Sequence, residues 1–400
     1  MKEEKIKVGI LPNQFLKSDG SFDKDEAIKL AGKIAGVCYD KEGFNHIENE
    51  PEEKTMRRVN LTLNNGHHSV YDHILINFNL QNIPKILAMV LNNEKQYTTS
   101  EKSARYTPII RKEGSIITEN EEKLYNKWIN IFKTKIKSSY GNVYSDSKIQ
   151  KLAQENARYL VTVFMPTQMI YSTSLRQINY IVSWMNEYCK KIDVNNAFEV
   201  KLAASMEELI DELFIKNVLD KRLMRNEKHR SLSLFGKDLD KKEEYFNDVY
   251  STSYSGSFAE FGEAQRHRTL DYQIELLDKK EYIVPPIIRD DKVLVDEWLN
   301  DMYIVKDVNP QGELVRISET GKYEDFILKC KERLCTAAQL EIMLLTKETL
   351  LKYKKSLEAS KSPLAEDIKK YSNGARCTFP DFDCSSDCKF KEGKRLVRKI

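Results

Sequence analysis

The sequence predicts an α+β fold, and three observations support this prediction. Apolar residues recur at helical spacing over long segments, of which residues 197–215 are the clearest. Shorter segments alternate apolar and polar residues, as at 73–80, which is typical of a strand with one buried face. The order of strand, short turn, helix and polar motif occurs in the first half and again in the second, which indicates an internal duplication.

The first half begins with a short apolar strand at Val8–Leu11. A helix is predicted at Lys24–Tyr39, after the turn-like Ser18-Asp19-Gly20. The alternating strand follows at His73–Leu80, and Pro84 suits the first turn of a helix that runs through Leu91. Four further helices are predicted, at 121–137, 147–162, 173–191 and 197–215.

The second half follows a charge-rich stretch at 218–245, which we interpret as a connector or a solvated helix. Val249–Tyr254 is predicted as a strand. Ser257 and Glu260 then form the signature of a capping box at the start of a helix that runs to His267. Extended chain around Pro285-Pro286 and one long helix at Lys322–Lys352 complete the prediction.

Composition excludes several classes of protein. The 64 Lys and Arg residues nearly balance 61 Asp and Glu residues, so the net charge of +3 provides no overall field for a nucleic acid polymer or an anionic membrane. No run of 18 apolar residues occurs, and the N-terminus leads into a strand rather than a signal peptide. We therefore expect a cytoplasmic protein with reduced thiols, because its seven cysteines are odd in number and irregularly spaced.

Two clusters suggest a metal site, although another interpretation is favoured for each. Cys377, Cys384 and Cys388 would supply three of four zinc ligands, but the usual pair of cysteines separated by two other residues is missing, so reduced thiols are preferred. Three histidines fall within Gly66–His73 in no common zinc pattern, and we prefer histidines that line a ligand pocket.

Two polar fragments carry the chemistry. Ser100–Tyr106 offers a hydroxyl and a guanidinium suited to a phosphate, and Glu263–Thr269 places two guanidiniums and an imidazole within one helical turn. Taken alone, the first fragment is more simply a solvated loop, and the second is equally well a basic surface cluster. No dinucleotide-binding, P-loop or hydrolase signature occurs in the chain.

Together these fragments resemble the flavin-dependent thymidylate synthases. The motifs that carry the resemblance are, in chain order, Ala31–Tyr39, Gly66–Val70 with His73, Ser100–Tyr106, Ala157-Arg158 with Pro166, Leu175-Arg176, Arg266–Thr269, Pro285-Pro286, and Arg333 with Ala338–Ile342. The resemblance implies two tandem copies of the family's fold, an antiparallel sheet flanked by helices. We predict a first copy at 1–225, a second at 226–360 and a basic, cysteine-containing tail at 361–400.

The two copies are degenerate in a complementary way. The first has Asn93-Glu94-Lys95 where the family has Arg-His-Arg, and the second has Leu276 and Asp278 where the family has its phosphate-binding Ser and Arg. In the family, each active site draws these two elements from neighbouring subunits of a homotetramer. The resemblance therefore implies a composite site between the two copies and a homodimer that mimics the tetramer.

The resemblance also implies a reaction, its cofactors and a set of site residues. The family methylates dUMP at C5 with methylenetetrahydrofolate as carbon donor, FAD as cofactor and NADPH as reductant. Arg333 is expected at the reacting pyrimidine as the catalytic residue. By matched position, nucleotide binding is expected from Ser103, Arg105, Arg158, Glu263, Arg266 and Arg333, and FAD binding from His67, Glu101, Arg176, Arg266, His267 and Arg268.

Two alternatives remain open. The family usually has glutamine where this chain has Glu263, and a carboxylate can accept a hydrogen bond from an exocyclic amine. This departure suggests C5 methylation or hydroxymethylation of another pyrimidine nucleotide, such as dCMP. The second alternative is a non-catalytic protein that binds flavin or nucleotide.

Overall fold

The computed structural model describes residues 5–103, 105, 108–111, 114–225, 230–235, 243–380, 382–384, 388, 390 and 392–400. The elements up to residue 215 are β1 (Lys7–Ile10), α1 (Lys24–Gly36), α2 (Phe44–Glu48), α3 (Glu52–Asn64), β2 (Leu75–Pro84), α4 (Lys85–Leu91), β3 (Thr98–Glu101), α5 (Glu119–Tyr140), α6 (Asp146–Ala157), β4 (Pro166–Ser174), α7 (Leu175–Lys190) and α8 (Ala197–Ile215). The elements beyond it are β5 (Tyr245–Phe246), β6 (Val249–Ser257), α9 (Phe258–Ala264), β7 (Asp271–Leu276), α10 (Lys292–Ile304), β8 (Leu314–Lys322), α11 (Tyr323–Arg333), α12 (Leu340–Ala359) and α13 (Leu364–Lys369).

The chain divides into two compact units, each made of two segments. The first unit comprises Met1–Lys102 and Pro166–Leu232, and the second comprises Ser103–Met165 and Ser233–Ile400. The predicted copies at 1–225 and 226–360 are contiguous, and so differ from these units. The difference arises because α5 and α6 pack with the second unit. There the ring centroid of Trp128 of α5 lies 4.8 Å from that of Trp298 of α10.

Each unit contains a four-stranded antiparallel sheet. The strand order is β1-β2-β4-β3 in the first and β5-β6-β8-β7 in the second. Thr98 pairs with Ser172 in the first sheet, and Asp271 pairs with Thr320 at the same place in the second. In both sheets the second strand leads directly into a seven-residue helix, α4 or α9. The two sheets therefore share topology and register, and the predicted α+β fold is confirmed.

The cores differ in character. Alternate residues of β2, namely Ile76, Phe78 and Leu80, are buried in the first unit, as the alternation predicted. In the second unit β6 instead buries Tyr250 and Thr252. The main apolar core of this unit lies around Trp128 and extends to Ile400 at the end of the chain.

Several boundaries test the sequence predictions directly. Helix α8 begins and ends as predicted, because the Asn196 side chain accepts from the amides of Phe198 and Glu199 and caps it. The prediction of one long helix at Lys322–Lys352 is wrong. β8 ends at Lys322, and the helix is interrupted at 334–339 between α11 and α12. No helix among the described residues is long and apolar enough to span a membrane.

Candidate nucleotide and flavin site

Arg105 is fixed from both sides in the second unit. Its Nε donates to Glu155 Oε2 over 2.6 Å, and its Nη2 donates to the Ala337 carbonyl over 3.2 Å. Its backbone amide donates to Ser103 Oγ over 3.3 Å, so the Ser103 hydroxyl is held against the backbone of Arg105. Arg105 is only 7% exposed, and its pairing with a buried carboxylate fixes the orientation of the guanidinium.

Arg158 lies at the end of α6, where the helix tightens into a 3-10 turn at Arg158–Leu160. The side chain is buried, and Nη2 lies 3.9 Å from Glu263 Oε1, which is beyond hydrogen-bonding distance. Within the described part of the chain, its Nε and Nη2 make no hydrogen bond. A buried guanidinium with unused donors is costly unless an anion satisfies it, so Arg158 is suited to bind a negatively charged ligand.

Glu263 is surrounded by guanidiniums. Its carboxylate lies 3.7 Å from Arg266 Nη1, 3.9 Å from Arg333 Nη1 and 3.9 Å from Arg158 Nη2. Burial raises the pKa of this carboxyl, but the arginines, led by Arg266 and then Arg158, outweigh burial and lower the pKa overall. Glu263 is therefore an ionised, buried carboxylate, and in the described residues its Oε2 accepts no hydrogen bond.

Arg333 and His267 form a direct pair. Arg333 Nε donates to His267 Nε2 over 2.6 Å, and Arg333 Nη2 donates to the Glu263 carbonyl over 3.0 Å. Burial, reinforced by the neighbouring charge of Arg333, lowers the pKa of His267 to about 2. The imidazole is therefore neutral at physiological pH, and its proton is on Nδ1, which lies 3.7 Å from the Glu332 carboxylate.

The other two arginines of the predicted motif lie at the surface. The Arg266 side chain is 43% exposed, and Arg268 is exposed. Helix α9 ends at Ala264 rather than at the predicted His267, so all three motif residues lie just beyond the helix. This exposure leaves Arg266 and Arg268 accessible to a bound ligand.

The first unit holds the other three predicted flavin residues, each in its own setting. His67 is exposed and precedes a 3-10 turn. The Glu101 carboxylate pairs with Lys85 Nζ at 2.5 Å, and Arg176 Nη1 pairs with Asp72 Oδ2 at 2.5 Å. The structure thus divides the predicted site residues, with these three in the first unit and the other eight in the second.

A set of buried charges in the second unit was missed from the sequence. Lys329 Nζ pairs with Glu319 Oε2 at 2.5 Å, and the Tyr254 hydroxyl donates to the same oxygen over 2.9 Å. Glu260 is fully buried, and neither carboxyl oxygen has a hydrogen bond among the described residues. Burial raises the pKa of Glu260 well above its ordinary value, which favours the neutral acid.

The predicted capping box at Ser257 is half correct. Ser257 Oγ accepts from the Glu260 amide over 3.1 Å, as predicted. The reciprocal bond from Glu260 is replaced, because the Ser257 amide donates to Glu341 Oε1 over 2.8 Å. The Glu260 side chain therefore points into the interior instead of capping the helix.

Matched positions in the first unit are apolar. By position in the element, Glu260 and Glu263 of α9 correspond to Leu87 and Val90 of α4. Lys329 of α11 corresponds to Ile181 of α7, and Glu319 of β8 to Tyr171 of β4. All four counterparts are fully buried. At each of these four matched positions, the second unit has a charged residue type and the first unit does not.

The cysteines do not support the zinc hypothesis. No group of three metal-binding side chains occurs in the described residues, which include Cys377, Cys384 and Cys388. None of the seven cysteines forms a disulfide. In the histidine cluster, buried His68 bonds through Nδ1 to the Tyr180 hydroxyl at 3.0 Å and through Nε2 to the Leu63 carbonyl at 3.1 Å, which is a packing role.

The second unit therefore offers an anion-binding group of four arginines. Two of them, Arg105 and Arg158, are buried, while Arg266 opens to solvent. The Arg333 guanidinium donates to a neutral imidazole, that of His267, which orients it without adding a negative charge. Such an arrangement suits a phosphate joined to a ring that acquires negative charge.

Comparison with known proteins finds similarity to the flavin-dependent thymidylate synthases. Residues 22–191 match the family model described as thymidylate synthase complementing protein. The Pyrococcus furiosus flavin-dependent thymidylate synthase is 24% identical over 148 residues, which cover 36% of this chain and 57% of that protein. The Clostridium tetani enzyme is 23% identical over 167 residues, covering 38% and 66% respectively. The chain thus matches only part of each relative's length.

Two solved structures are similar to this chain at low sequence identity. Thymidylate synthase X from Helicobacter pylori, solved with FAD and dUMP, is 13% identical with a TM-score of 0.32, and covers 55% of this chain and 100% of its own. The UMP/dUMP methylase PolB from Streptomyces cacaoi, solved with 5-Br dUMP, is also 13% identical with a TM-score of 0.32, and covers 56% of this chain and 94% of its own.

Proposed function

We propose that the protein is an FAD-dependent enzyme that reductively methylates dUMP at C5, with methylenetetrahydrofolate and NADPH as co-substrates. The observation that supports this function best is the buried arginine group of the second unit, in which Arg158 has unused donors beside the pair of Arg333 and His267. The match of residues 22–191 to the family model supports the reaction class.

The residues fit a nucleotide phosphate. The Ser103 hydroxyl is held by the backbone amide of Arg105, and the unused Nε and Nη2 of Arg158 offer the forked donors that a phosphate accepts. Arg333 would stabilise the negative charge that makes C5 of the pyrimidine nucleophilic. Because His267 is neutral and accepts from Arg333, it orients that guanidinium without adding a competing charge.

The residues also fit a flavin, which would supply the hydride of the reduction when bound. Arg266 and Arg268 are exposed beside buried His267, so their donors are accessible to the anionic edge of a ring. We propose that His67, Glu101 and Arg176 of the first copy complete the FAD site. Shared strand order and register support the duplication on which this composite site depends.

The proposed assembly is a homodimer that reproduces four copies of the fold. It follows from the family's use of residues from neighbouring subunits. Size-exclusion chromatography with light scattering measures the mass in solution, and a fully active monomer would refute this assembly.

Two variants test the site as a whole. Arg266→Ala should weaken FAD binding, measured by flavin absorbance of the purified protein, and Arg105→Ala should weaken dUMP binding. Arg316→Ala is the control, because its exposed guanidinium lies 3.8 Å from Glu275 on the sheet surface and should alter neither. Purified protein that is yellow yet never oxidises NADPH when folate and nucleotide are present would favour the non-catalytic binder.

A cytosine nucleotide is the second candidate substrate. Glu263 supports it, because an ionised carboxylate with an unused oxygen accepts from an exocyclic amine. Release of tritium from C5-labelled dUMP and dCMP compares the two directly. Turnover of dUMP alone would exclude the cytosine alternative.

A further inference from the structure

The end of the chain is built into the second unit. Phe390, Leu396, Arg398 and Ile400 are all less than 5% exposed. The Phe390 ring lies 5.5 Å from Tyr140 and packs within the main apolar core. This tail lies outside residues 22–191, so the family match says nothing about it.

Arg398 is a buried cation that binds carbonyl groups. Its Nη2 donates to the Ala338 carbonyl over 2.7 Å and lies 3.5 Å from that of Cys335, while Nη1 donates to the Ile400 carbonyl over 2.5 Å. Nε lies 3.4 Å from Met343 Sδ. Arg398 is only 3% exposed, so these hydrogen bonds to main-chain oxygens satisfy a guanidinium that is removed from water.

Two of the carbonyls near Arg398, those of Cys335 and Ala338, belong to the loop 334–339, which joins the last residue of α11, Arg333, to α12. Arg105 binds the adjacent carbonyl, that of Ala337, over 3.2 Å. A second tail residue holds the start of the loop, since the Arg376 amide donates to the Leu334 carbonyl over 2.7 Å. The loop thus connects the tail to two arginines of the candidate site.

We propose that Arg398 is a positioning residue for nucleotide binding. By holding the loop 334–339, it fixes the carbonyl that orients Arg105 and the end of the helix that carries Arg333. The inference rests on the proposed function, because it takes a pyrimidine nucleoside monophosphate as the ligand. Arg398 touches neither substrate nor flavin, and its effect passes through Arg105.

Arg398→Met tests this role in the full-length protein loaded with FAD, because methionine keeps much of the apolar stem and removes the donors. The dissociation constant for dUMP, measured by titration calorimetry, should rise about tenfold, while the flavin absorbance stays that of the wild type. Arg395→Met is the matched control, since Arg395 is an exposed arginine of the same tail and should leave dUMP binding unchanged. Arg398→Lys keeps the charge, and its dissociation constant for dUMP should lie between those of the wild type and Arg398→Met.

A double-mutant cycle separates positioning from general stability. If Arg398 acts through Arg105, the losses in dUMP affinity caused by Arg398→Met and Arg105→Met will be non-additive. Additive losses, or an unchanged dUMP dissociation constant in a variant that is merely less heat-stable, would overturn the inference. If Arg398→Met fails to fold, Arg398→Lys replaces it in the double-mutant cycle. Wild-type affinity for dUMP in Arg398→Lys would also overturn the inference. Wild-type protein that binds no pyrimidine nucleotide refutes the proposed function instead.

Discussion

Substitution of Glu263 by glutamine would test whether the arginine group depends on an internal counter-ion. The carboxylate lies 3.9 Å from each of Arg158 and Arg333, both largely buried, and 3.7 Å from half-exposed Arg266. At an effective dielectric constant near 20, a charge pair at this distance attracts by about 4 kcal/mol before desolvation is subtracted. Removal of one partner from a buried pair costs about 3–5 kcal/mol.

The expected loss for Glu263→Gln is about 3 kcal/mol in the free energy of unfolding, at the low end of that range because the contacts exceed hydrogen-bonding distance. For a unit of this size it corresponds to a fall in Tm of roughly 6–12 °C. Because the pKa of Glu263 is lowered in the folded state, its contribution is present above the ordinary carboxyl pKa of 4.5 and lost below it. The difference from wild type should therefore shrink as the pH falls below that value.

Thermal unfolding of the nucleotide-free protein at pH 7 measures this effect. Glu332→Gln is the matched control, since this carboxylate lies 3.7 Å from His267 but is 52% exposed, and should lose less than about 1 kcal/mol. Glu263→Gln also lacks an anion that competes with phosphate, so this variant should bind dUMP more tightly than the wild type. If Glu263→Gln unfolds at the same temperature as Glu332→Gln, the carboxylate does not neutralise the arginines and the reasoning fails.

Two more variants test the buried groups beside this cluster. His267 is neutral when folded, with a pKa near 2, so the unfolded chain binds the extra proton below pH 6.5 and stability rises with pH in that interval. His267→Asn should remove about 1.4 kcal/mol per pH unit from that slope, measured by urea unfolding between pH 4 and 6.5, and an unchanged slope would contradict a neutral imidazole. Glu260→Leu, which introduces the residue of the matched position Leu87, should raise the free energy of unfolding by about 1–3 kcal/mol, because it removes an acid without hydrogen bonds. A less stable Glu260→Leu would mean that the acid is bonded after all, and Glu275→Leu on the exposed face is its control.

The sequence predicted the elements that carry a local signal. Helix α8 has an apolar stripe and an asparagine cap, and both lie within the segment itself. The strands β3 and β7 were missed, because Thr98–Glu101 is short and polar and is defined by pairing with a strand far along the chain. The break at 334–339 was missed for a similar reason, since distant Arg105 and Arg398 hold it.

The site was predictable only where a motif marked it. Arg105, Arg158 and Arg333 were predicted by resemblance, but Glu155 and Lys329 were not named because a charged residue on a helix is usually solvated. One signal for the interior charges was available. Glu260 and Glu263 are three residues apart on α9, while Lys329 and Arg333 are four apart on α11, so each helix presents two like charges on one face. Like charges so spaced repel one another unless a partner of opposite sign faces them.

The difference between the two units indicates where function was kept. A buried charge lowers stability unless it is paired, so mutation should replace it with an apolar residue wherever no ligand depends on it. The first unit shows that outcome at Leu87, Val90, Ile181 and Tyr171, all fully buried. The second unit keeps charged residues at the corresponding positions, next to four arginines and a neutral imidazole. Retention at such a cost is expected of a binding site, which supports the proposal that the second unit binds the nucleotide.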